Sequence, residues 1–288
     1  MGVASSPRAP GGEPPGQGER GPEEAAGGGA PRGREVAAYY DTPGRAGALD
    51  AVYEDDTALA HLYRDRIERI AGLLAGWRGG RLLSVGCGPA HMLRTLAERL
   101  PDDFELVGLD SSREMLAVAA ENLRGAAKLV CAPAEEMPFE DAAFDAVLAV
   151  GVLEYTELER ALAEIARVTR PAGLVICTMQ NPHSPYRLWE RAVYRHVRRL
   201  RGLAESPIRR RLSERALRDA LLAAGLVPAE TVYYDFNVLL QPLDEYLPGL
   251  ERRLERLLAR HGRGPLRRLG TGYIVSARRA TRPAGPRP

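Results

Sequence analysis

Two glycines one residue apart, Gly86-Cys87-Gly88, join a short apolar run (Leu82-Leu83-Ser84-Val85) to a segment of helical spacing that starts at His91. Glycine has no Cβ, so a ligand can lie against the main chain there, and the following helix presents unpaired N–H groups to it. A Gly-x-Gly alone is weak evidence, often just a tight turn. Asp110 strengthens the binding reading. It closes the next apolar run, Phe104-Glu105-Leu106-Val107-Gly108-Leu109, 24 residues after Gly86. An acidic residue at that spacing can accept hydrogen bonds from both hydroxyls of a ribose. The pair predicts a nucleoside site. A dinucleotide fingerprint needs a third glycine where His91 stands, and a P-loop is excluded because no Gly-Lys-Ser/Thr follows.

Those residues need a scaffold, and the spacing supplies one. Short apolar runs alternate with amphipathic stretches of 10 to 15 residues from position 81 to 180. The runs RLLSVG, FELVGLD, AAKLVCA, FDAVLAVG and GLVICTMQ read as strands. HMLRTLAERL, SSREMLAVAAENL and ELERALAEIARVTR read as helices, the second capped by Ser111 or Ser112 and the third stopped by Pro171. Such alternation means βαβ units and a parallel, doubly wound sheet with helices on both faces. Upstream, Leu59, Leu62, Tyr63, Ile67, Ile70 and Leu74 fall at helical spacing, with Thr57 as cap and Gly76 near the end. Downstream, LSERALRDALLAAG is a helix between Ser213 and Gly225, followed by strands AETVYYDF and TGYIVSARR.

Residues 1–34 are Gly, Pro, Ala and charge without apolar period, and are expected to be a disordered tail, as is 281–288. One domain is expected over 35–280, with N-terminal lid helices over 36–80 and two insertions over 182–212 and 237–270. Forty basic residues nearly cancel 38 acidic ones, which argues against wholesale nucleic-acid binding. Cys87, Cys131 and Cys177 each lie in an apolar run and form no C-x-x-C, so no metal site is expected and each reads as a small buried hydrophobe in a reducing compartment. No apolar run approaches the ~18 residues that span a bilayer, and the start lacks an apolar signal core. Cytoplasmic location is the expectation. Gly2 and Ser6 fit a loose myristoylation pattern, which is discounted because the Ala/Arg/Gly-rich composition suggests a GC-rich bacterial gene.

Taken together, these stretches resemble the class I methyltransferases that use S-adenosylmethionine, over residues 36–180 and 212–279. Motif I resembles LLSVGCGPA, Leu82 to Ala90. The acidic loop resembles LVGLDSSREML, where the likeness implies that Asp110 holds the ribose, with Ser111 beside it and Met115 near the adenine. The next loop resembles CAPAEEMPFEDAAFDAVLAVGVLEY, where Ala134 and Glu135 would flank the adenine and Val150 would border the cofactor. Tyr39 and Tyr40 resemble tyrosines of an N-terminal segment that closes over the cofactor, the role falling to Tyr40. The family's usual acid at the start of motif I is Ser84 here, its third glycine is Ala90, an adenine-binding Asp is replaced by Pro133, and its Pro-Gly-Gly turn is Pro171-Ala172-Gly173.

The implied fold is a mostly parallel seven-stranded sheet with an antiparallel last strand, and the implied reaction is an in-line methyl displacement. A base is optional: a hydroxyl benefits from one, and an amine need only be unprotonated. Glu154 and Tyr155 follow one strand and His183 the next, and any of them could orient or deprotonate an acceptor; His183 is preferred because its pKa class suits proton transfer near neutrality. Tyr186, Trp189, Tyr194, Phe236, Leu239 and Leu240 suggest an apolar or aromatic small-molecule acceptor, of secondary metabolism or a lipid or quinone-like compound, with O-methylation favoured. The arginines of the insertions read first as a solvated face, then as a surface for an anionic acceptor or acidic carrier domain, and last as a contact for a membrane-associated substrate. The alternatives are a non-catalytic binding or partner subunit of the same fold, and a nicotinamide-dependent dehydrogenase.

Overall fold

The computed structural model describes residues 33–54, 58–75, 77, 79–100, 104–189, 192, 210–236, 248–259 and 264–281. The expected N-terminal tail, apart from its last residues, and most of both insertions lie outside these, as do Thr57, Gly76, Tyr194, Leu239 and Leu240.

Strands β1 (Gly80–Val85), β2 (Phe104–Asp110), β3 (Lys128–Cys131), β4 (Phe144–Ala149), β5 (Thr169–Gln180), β6 (Leu226–Tyr234) and β7 (Gly272–Arg279) form one sheet in the order β3-β2-β1-β4-β5-β7-β6. β7 runs antiparallel to β5 and β6, while the other pairs are parallel. The chain moves outward from β1 to β3, then returns to place β4 on the other side of β1. That reversal opens a crevice at the carboxyl ends of β1 and β4, where open parallel sheets bind ligands.

Among the described residues, three helices precede the sheet: α1 (Gly33–Tyr40), α2 (Arg45–Glu54) and α3 (Ala58–Leu74). α4 (His91–Arg99) and α5 (Arg113–Leu123) join α3 on one face, where Ile67, Ile70, Leu74, Leu93, Leu96 and Ala119 are buried against Leu82, Leu106 and Leu148. The other face is covered by α6 (Leu158–Val168) and α8 (Glu214–Ala223), through Leu158, Leu162, Ile165, Leu217 and Leu221 against Leu83, Val147 and Val175. Each such aliphatic side chain contributes about 1.5–3 kcal/mol by leaving water. The short α7 (Pro185–Trp189) follows β5, and α9 (Pro248–Ala259) with a 3-10 turn at Pro265–Leu269 lies between β6 and β7.

Local chemistry sets the boundaries near the crevice. Ser112, not Ser111, caps α5: its Oγ accepts from the Met115 N–H at 3.1 Å and its hydroxyl donates to Asp41 Oδ1 at 2.7 Å. The hydroxyl thus ties the segment after α1 to the start of α5. Ser112→Ala is expected to lower the unfolding free energy by about 1 kcal/mol, seen as a lower urea midpoint at unchanged slope. Ser213 caps α8 likewise, accepting from Ala216 N–H at 3.2 Å, and Gly225 follows that helix at φ 78°. Gly173 is required by crowding, since a Cβ there would lie 2.7 Å from the Arg170 carbonyl oxygen.

One expectation fails. Cys177 is buried and Cys87 half-buried, but Cys131 is exposed, because β3 is an edge strand and its end meets solvent. All three are free thiols. No helix among the described residues is long and apolar enough to cross a membrane.

Candidate functional site

Two adjoining chambers lie in the crevice. The first, of 110 Å³, is walled by Gly86, Gly88, Leu109, Asp110, Ser111, Met115, Ala132, Pro133, Ala134, Glu135 and Val152, with Val36, Tyr40 and Leu49 from α1 and α2. The second, of 210 Å³, extends from Ser84, Cys87, His91 and Val150 towards Tyr63, Arg66, Glu154, Gln180, Arg187 and Tyr234. Tyr40, Leu49, Gly86, Gly88, Gly151 and Tyr155 border both.

The glycine turn is bare for two reasons. Gly86 has φ 62°, and a Cβ on it would lie 2.5 Å from Val152 Cγ2. Gly88 has φ 51°, and a Cβ on it would meet nothing within 4 Å. The first glycine is forced by packing and backbone, and the second leaves its main chain open to the chambers. Ala90 is also left-handed, at φ 65°, and precedes α4 without a side-chain cap.

Asp110 stands opposite this turn. Its Oδ2 accepts from Gly88 N–H at 2.8 Å and its Oδ1 from Ser112 N–H at 2.9 Å. Burial raises its pKa above the usual carboxylate range, while the N–H groups of Ser112, Gly88 and Ser111 oppose that rise. Each oxygen keeps a further lone pair, so the carboxylate can take two hydroxyl donors from a sugar. The remaining wall, Leu109, Met115, Ala134 and Val152, is apolar and suits a flat base. Glu135 borders the same chamber, but its Oε1 accepts from Glu157 N–H at 2.9 Å, so its carboxylate serves the start of α6.

The N-terminal helices roof the crevice. The Tyr40 ring meets the Tyr155 ring edge-on at 6.1 Å. Asp50 Oδ1 contacts His91 Nε2 at 2.7 Å and accepts from Asn122 Nδ2 at 2.6 Å, and Asn122 Nδ2 also donates to the Pro89 carbonyl at 2.9 Å. The imidazole that replaces a third glycine is therefore a strut that fixes the loop from α2.

Of the three residues put forward for catalysis, the structure brings two to the chambers. Glu154 is 4 % exposed, and its Oε2 has no hydrogen-bond partner. Burial raises its pKa to about 7 against the opposing pull of its own N–H, the Gln180 N–H and the Arg66 and Arg187 guanidiniums. Burial also raises the Tyr155 phenol, with Tyr40 and Glu154 adding to the effect. His183 instead faces solvent, beyond the wall of either chamber, because its backbone N–H turns onto Asn181 Oδ1 at 3.1 Å. Cys87 borders the second chamber with its thiol pKa pushed up by burial, as an inert wall and not a nucleophile.

Sequence reasoning missed Arg66. The signal was present: Tyr63, Arg66 and Ile70 share a face of α3 at i, i+3 and i+7, which sets a guanidinium on an otherwise apolar stripe. Phe236, one of the residues put forward for the acceptor wall, is buried in the core, and the described wall of the second chamber mixes tyrosines and the apolar Leu49, Ile67, Met92 and Val150 with Arg66, Arg187, Glu154 and Asp235.

Residues 83–177 match the family model described as a methyltransferase domain. A demethylmenaquinone methyltransferase of Geobacillus kaustophilus is 35 % identical over 105 residues, 35 % of this chain and 45 % of that one. A malonyl-[acyl-carrier protein] O-methyltransferase of Serratia marcescens is 35 % identical over 120 residues, 41 % of this chain and 46 % of that one. The chain thus spans under half the length of these relatives. Among solved structures, the [4+2]-cyclase SpnF superposes with a TM-score of 0.60 at 21 % identity, over 88 % of this chain and 98 % of its own. Geranyl diphosphate C-methyltransferase of Streptomyces coelicolor A3(2) gives 0.57 at 18 % identity, over 87 % and 98 %.

Proposed function

We propose that this chain, which carries a class I S-adenosylmethionine-dependent methyltransferase domain, binds S-adenosylmethionine in the first chamber and passes its methyl group to a small acceptor seated in the second. The observation that carries the reading is the bare backbone of Gly86 and Gly88 facing the Asp110 carboxylate, beside a second chamber that contains Glu154. These residues fit the cofactor: main chain without Cβ, a buried diol acceptor and an apolar slot for the base.

Bound there, S-adenosylmethionine supplies an electrophilic methyl group on a positively charged sulfur. Asp110 holds the ribose, and Met115, Ala134 and Val152 enclose the base. Tyr40 and the helices that carry it keep water from the reacting atoms, which favours a transfer in which charge is dispersed. The cofactor would supply its methyl group to an acceptor hydroxyl by in-line displacement, its sulfur keeping the bonding pair, which leaves this chain one acceptor proton to remove. Glu154 takes the hydroxyl proton, the role first given to His183; a carboxyl near pKa 7 is suited to this at neutral pH. O-methylation of a small molecule is the finer reading, in a cytoplasmic, biosynthetic setting.

Calorimetric titration tests the cofactor. S-adenosylmethionine and S-adenosylhomocysteine are expected to bind one per chain, and NAD(H) is expected neither to bind nor to displace them. NAD(H) binding with no S-adenosylmethionine binding would return the reading to a dehydrogenase. Cofactor binding without transfer of labelled methyl to any hydroxylated acceptor would favour the non-catalytic subunit, for which Ser84 in place of the usual acid is the motivating feature.

A further inference from the structure

Charge is spread unevenly along the chain. Residues 182–212 carry nine arginines against two acids, and residues 237–270 seven against four. The two insertions therefore hold a net +10, and the remainder holds −8 of the chain's total of +2. Both insertions spring from the rim of the second chamber. The first leaves β5 after Gln180 and the second returns to β7 at Gly272, and those two residues pair in the sheet. Asn181 joins the insertions there: its N–H donates to the Thr271 carbonyl at 2.8 Å, and its Nδ2 to the carbonyls of Arg268 and Gly270 at 3.0 and 2.8 Å. Gln180, Thr271 and Gly272 line that chamber. The same rim exposes apolar side chains. Six large ones are exposed among the described residues, and four of these belong to the insertions: Leu188 on α7 (51 %), Leu250 and Leu257 on α9 (45 and 60 %) and Leu266 on the 3-10 turn (43 %). On α9, Leu258 packs on the core and Leu254 is half-buried, whereas Leu250 and Leu257, seven residues apart and so on one side of the helix, stay in solvent. Arg253 and Arg268 are exposed as well.

We propose that this rim docks on an anionic lipid surface, its leucines entering the boundary between headgroups and acyl chains and its arginines meeting lipid phosphates, which brings the second chamber to the bilayer. Charge complementarity supports it. A surface of negative lipid attracts the +10 of the insertions and repels the −8 of the rest, so the partition that binds the chain also orients it. Lysine is absent from both insertions, and arginine is the side chain whose planar fork takes a phosphate through two hydrogen bonds. Leucine beside arginine is the composition of a segment that lies in the membrane interface, where the arginine stem follows the apolar surface and the guanidinium stays with the headgroups. A soluble polyanion would satisfy the arginines and leave the leucines in water. The leucines are also spread over α7, α9 and the 3-10 turn, which matches a broad surface more than the contact of one small domain.

The test is co-sedimentation of the full chain with vesicles of phosphatidylcholine alone and of phosphatidylcholine with about one third phosphatidylglycerol. The anionic vesicles are expected to bind at least tenfold more tightly, and raising the salt from about 0.1 M to about 0.5 M is expected to weaken that binding at least tenfold. Leu250→Ser with Leu257→Ser, and separately Arg253→Glu with Arg268→Glu, are each expected to lose tenfold or more on the anionic vesicles, with an unchanged urea midpoint. Val227→Ser, which alters an exposed apolar side chain of β6 outside the insertions, is expected to bind as wild type does. Equal binding to both vesicles, binding to neither, or wild-type binding by either double variant overturns the proposal, as does a loss in Val227→Ser equal to that of the leucine pair. Wild-type binding by the leucine pair alone would assign the arginines to a soluble polyanion instead, an acidic carrier domain or a nucleic acid. Should the leucine pair fail to fold, Leu257→Ser, the most exposed of the four, decides by a threefold loss or its absence. A chain that binds no S-adenosylhomocysteine refutes the methyltransferase reading, and the vesicles still judge this rim.

Discussion

Asp110→Ala is expected to weaken S-adenosylhomocysteine binding by about a hundredfold while the protein stays folded. The carboxylate offers two remaining lone-pair directions to the ribose, and hydrogen bonds to a charged acceptor each contribute about 1.5–3 kcal/mol. Allowing for solvent that takes their place in the variant, a net loss of about 3 kcal/mol gives that factor. Stability should respond less, because two effects oppose. Alanine removes the acceptor of the Gly88 and Ser112 N–H groups, and it also removes a carboxylate whose burial raises its pKa. Asp110→Asn keeps the shape and one acceptor oxygen but turns an N–H towards one of those two donors, so it should fall between. Affinity from calorimetry and the urea midpoint from circular dichroism separate the two roles. A loss below about threefold in the alanine variant would remove Asp110 from the ribose, and the nucleoside reading of the first chamber with it.

Much of this chamber could be read from residue types because its requirements are local. A backbone without Cβ calls for glycine, and a diol acceptor at a strand end calls for an acid, so Gly86, Gly88 and Asp110 mark themselves and the strands on either side. The sheet was legible for the same reason: β1, β2, β4 and β5 are buried on both faces, which makes each an apolar run. The acceptor chamber was not legible, since its chemistry is assembled over long separations. Arg66, Glu154 and Tyr234 come from α3, the loop after β4, and β6, and neither spacing nor periodicity links them. His183 misled because a residue type suited to proton transfer says nothing of where its loop points; Asn181, two residues earlier, holds that loop by donating to the Arg268 and Gly270 carbonyls. The N-terminal helices were expected as a lid, but the Asp41–Ser112 and Asp50–His91 ties that fix them join residues more than 40 positions apart.

Glu154→Gln is the sharper experiment on the chemistry. If Glu154 receives the acceptor proton, the amide should lower the turnover rate by about 10²–10⁴-fold and leave cofactor affinity unchanged, because Asp110 and the glycine turn are untouched. The wild-type rate should rise with pH to a plateau above about 7, the pKa to which burial lifts this carboxyl, and the variant should lose that dependence. The groups around it do not mimic the titration. Arg66 stays charged, and Tyr234 and Cys177 are each pushed up to about 12 by burial, with Tyr273 raised further. Stability supplies an independent readout of opposite sense. A carboxyl whose pKa rises from 4.5 unfolded to about 7 folded holds its proton more firmly in the native state. Its contribution is therefore full below pH 4.5 and lost as pH climbs to 7, a decline of about 3 kcal/mol across that window. Glutamine does not titrate, so the variant should gain on wild type by up to that amount between pH 5 and about 8, measured as the difference in urea midpoints. A variant that is slow at every pH yet gains no relative stability would mean that Glu154 is ionised throughout, held as a fixed counter-charge to Arg66. A variant that turns over at the wild-type rate would leave the proton to Tyr155 or to water.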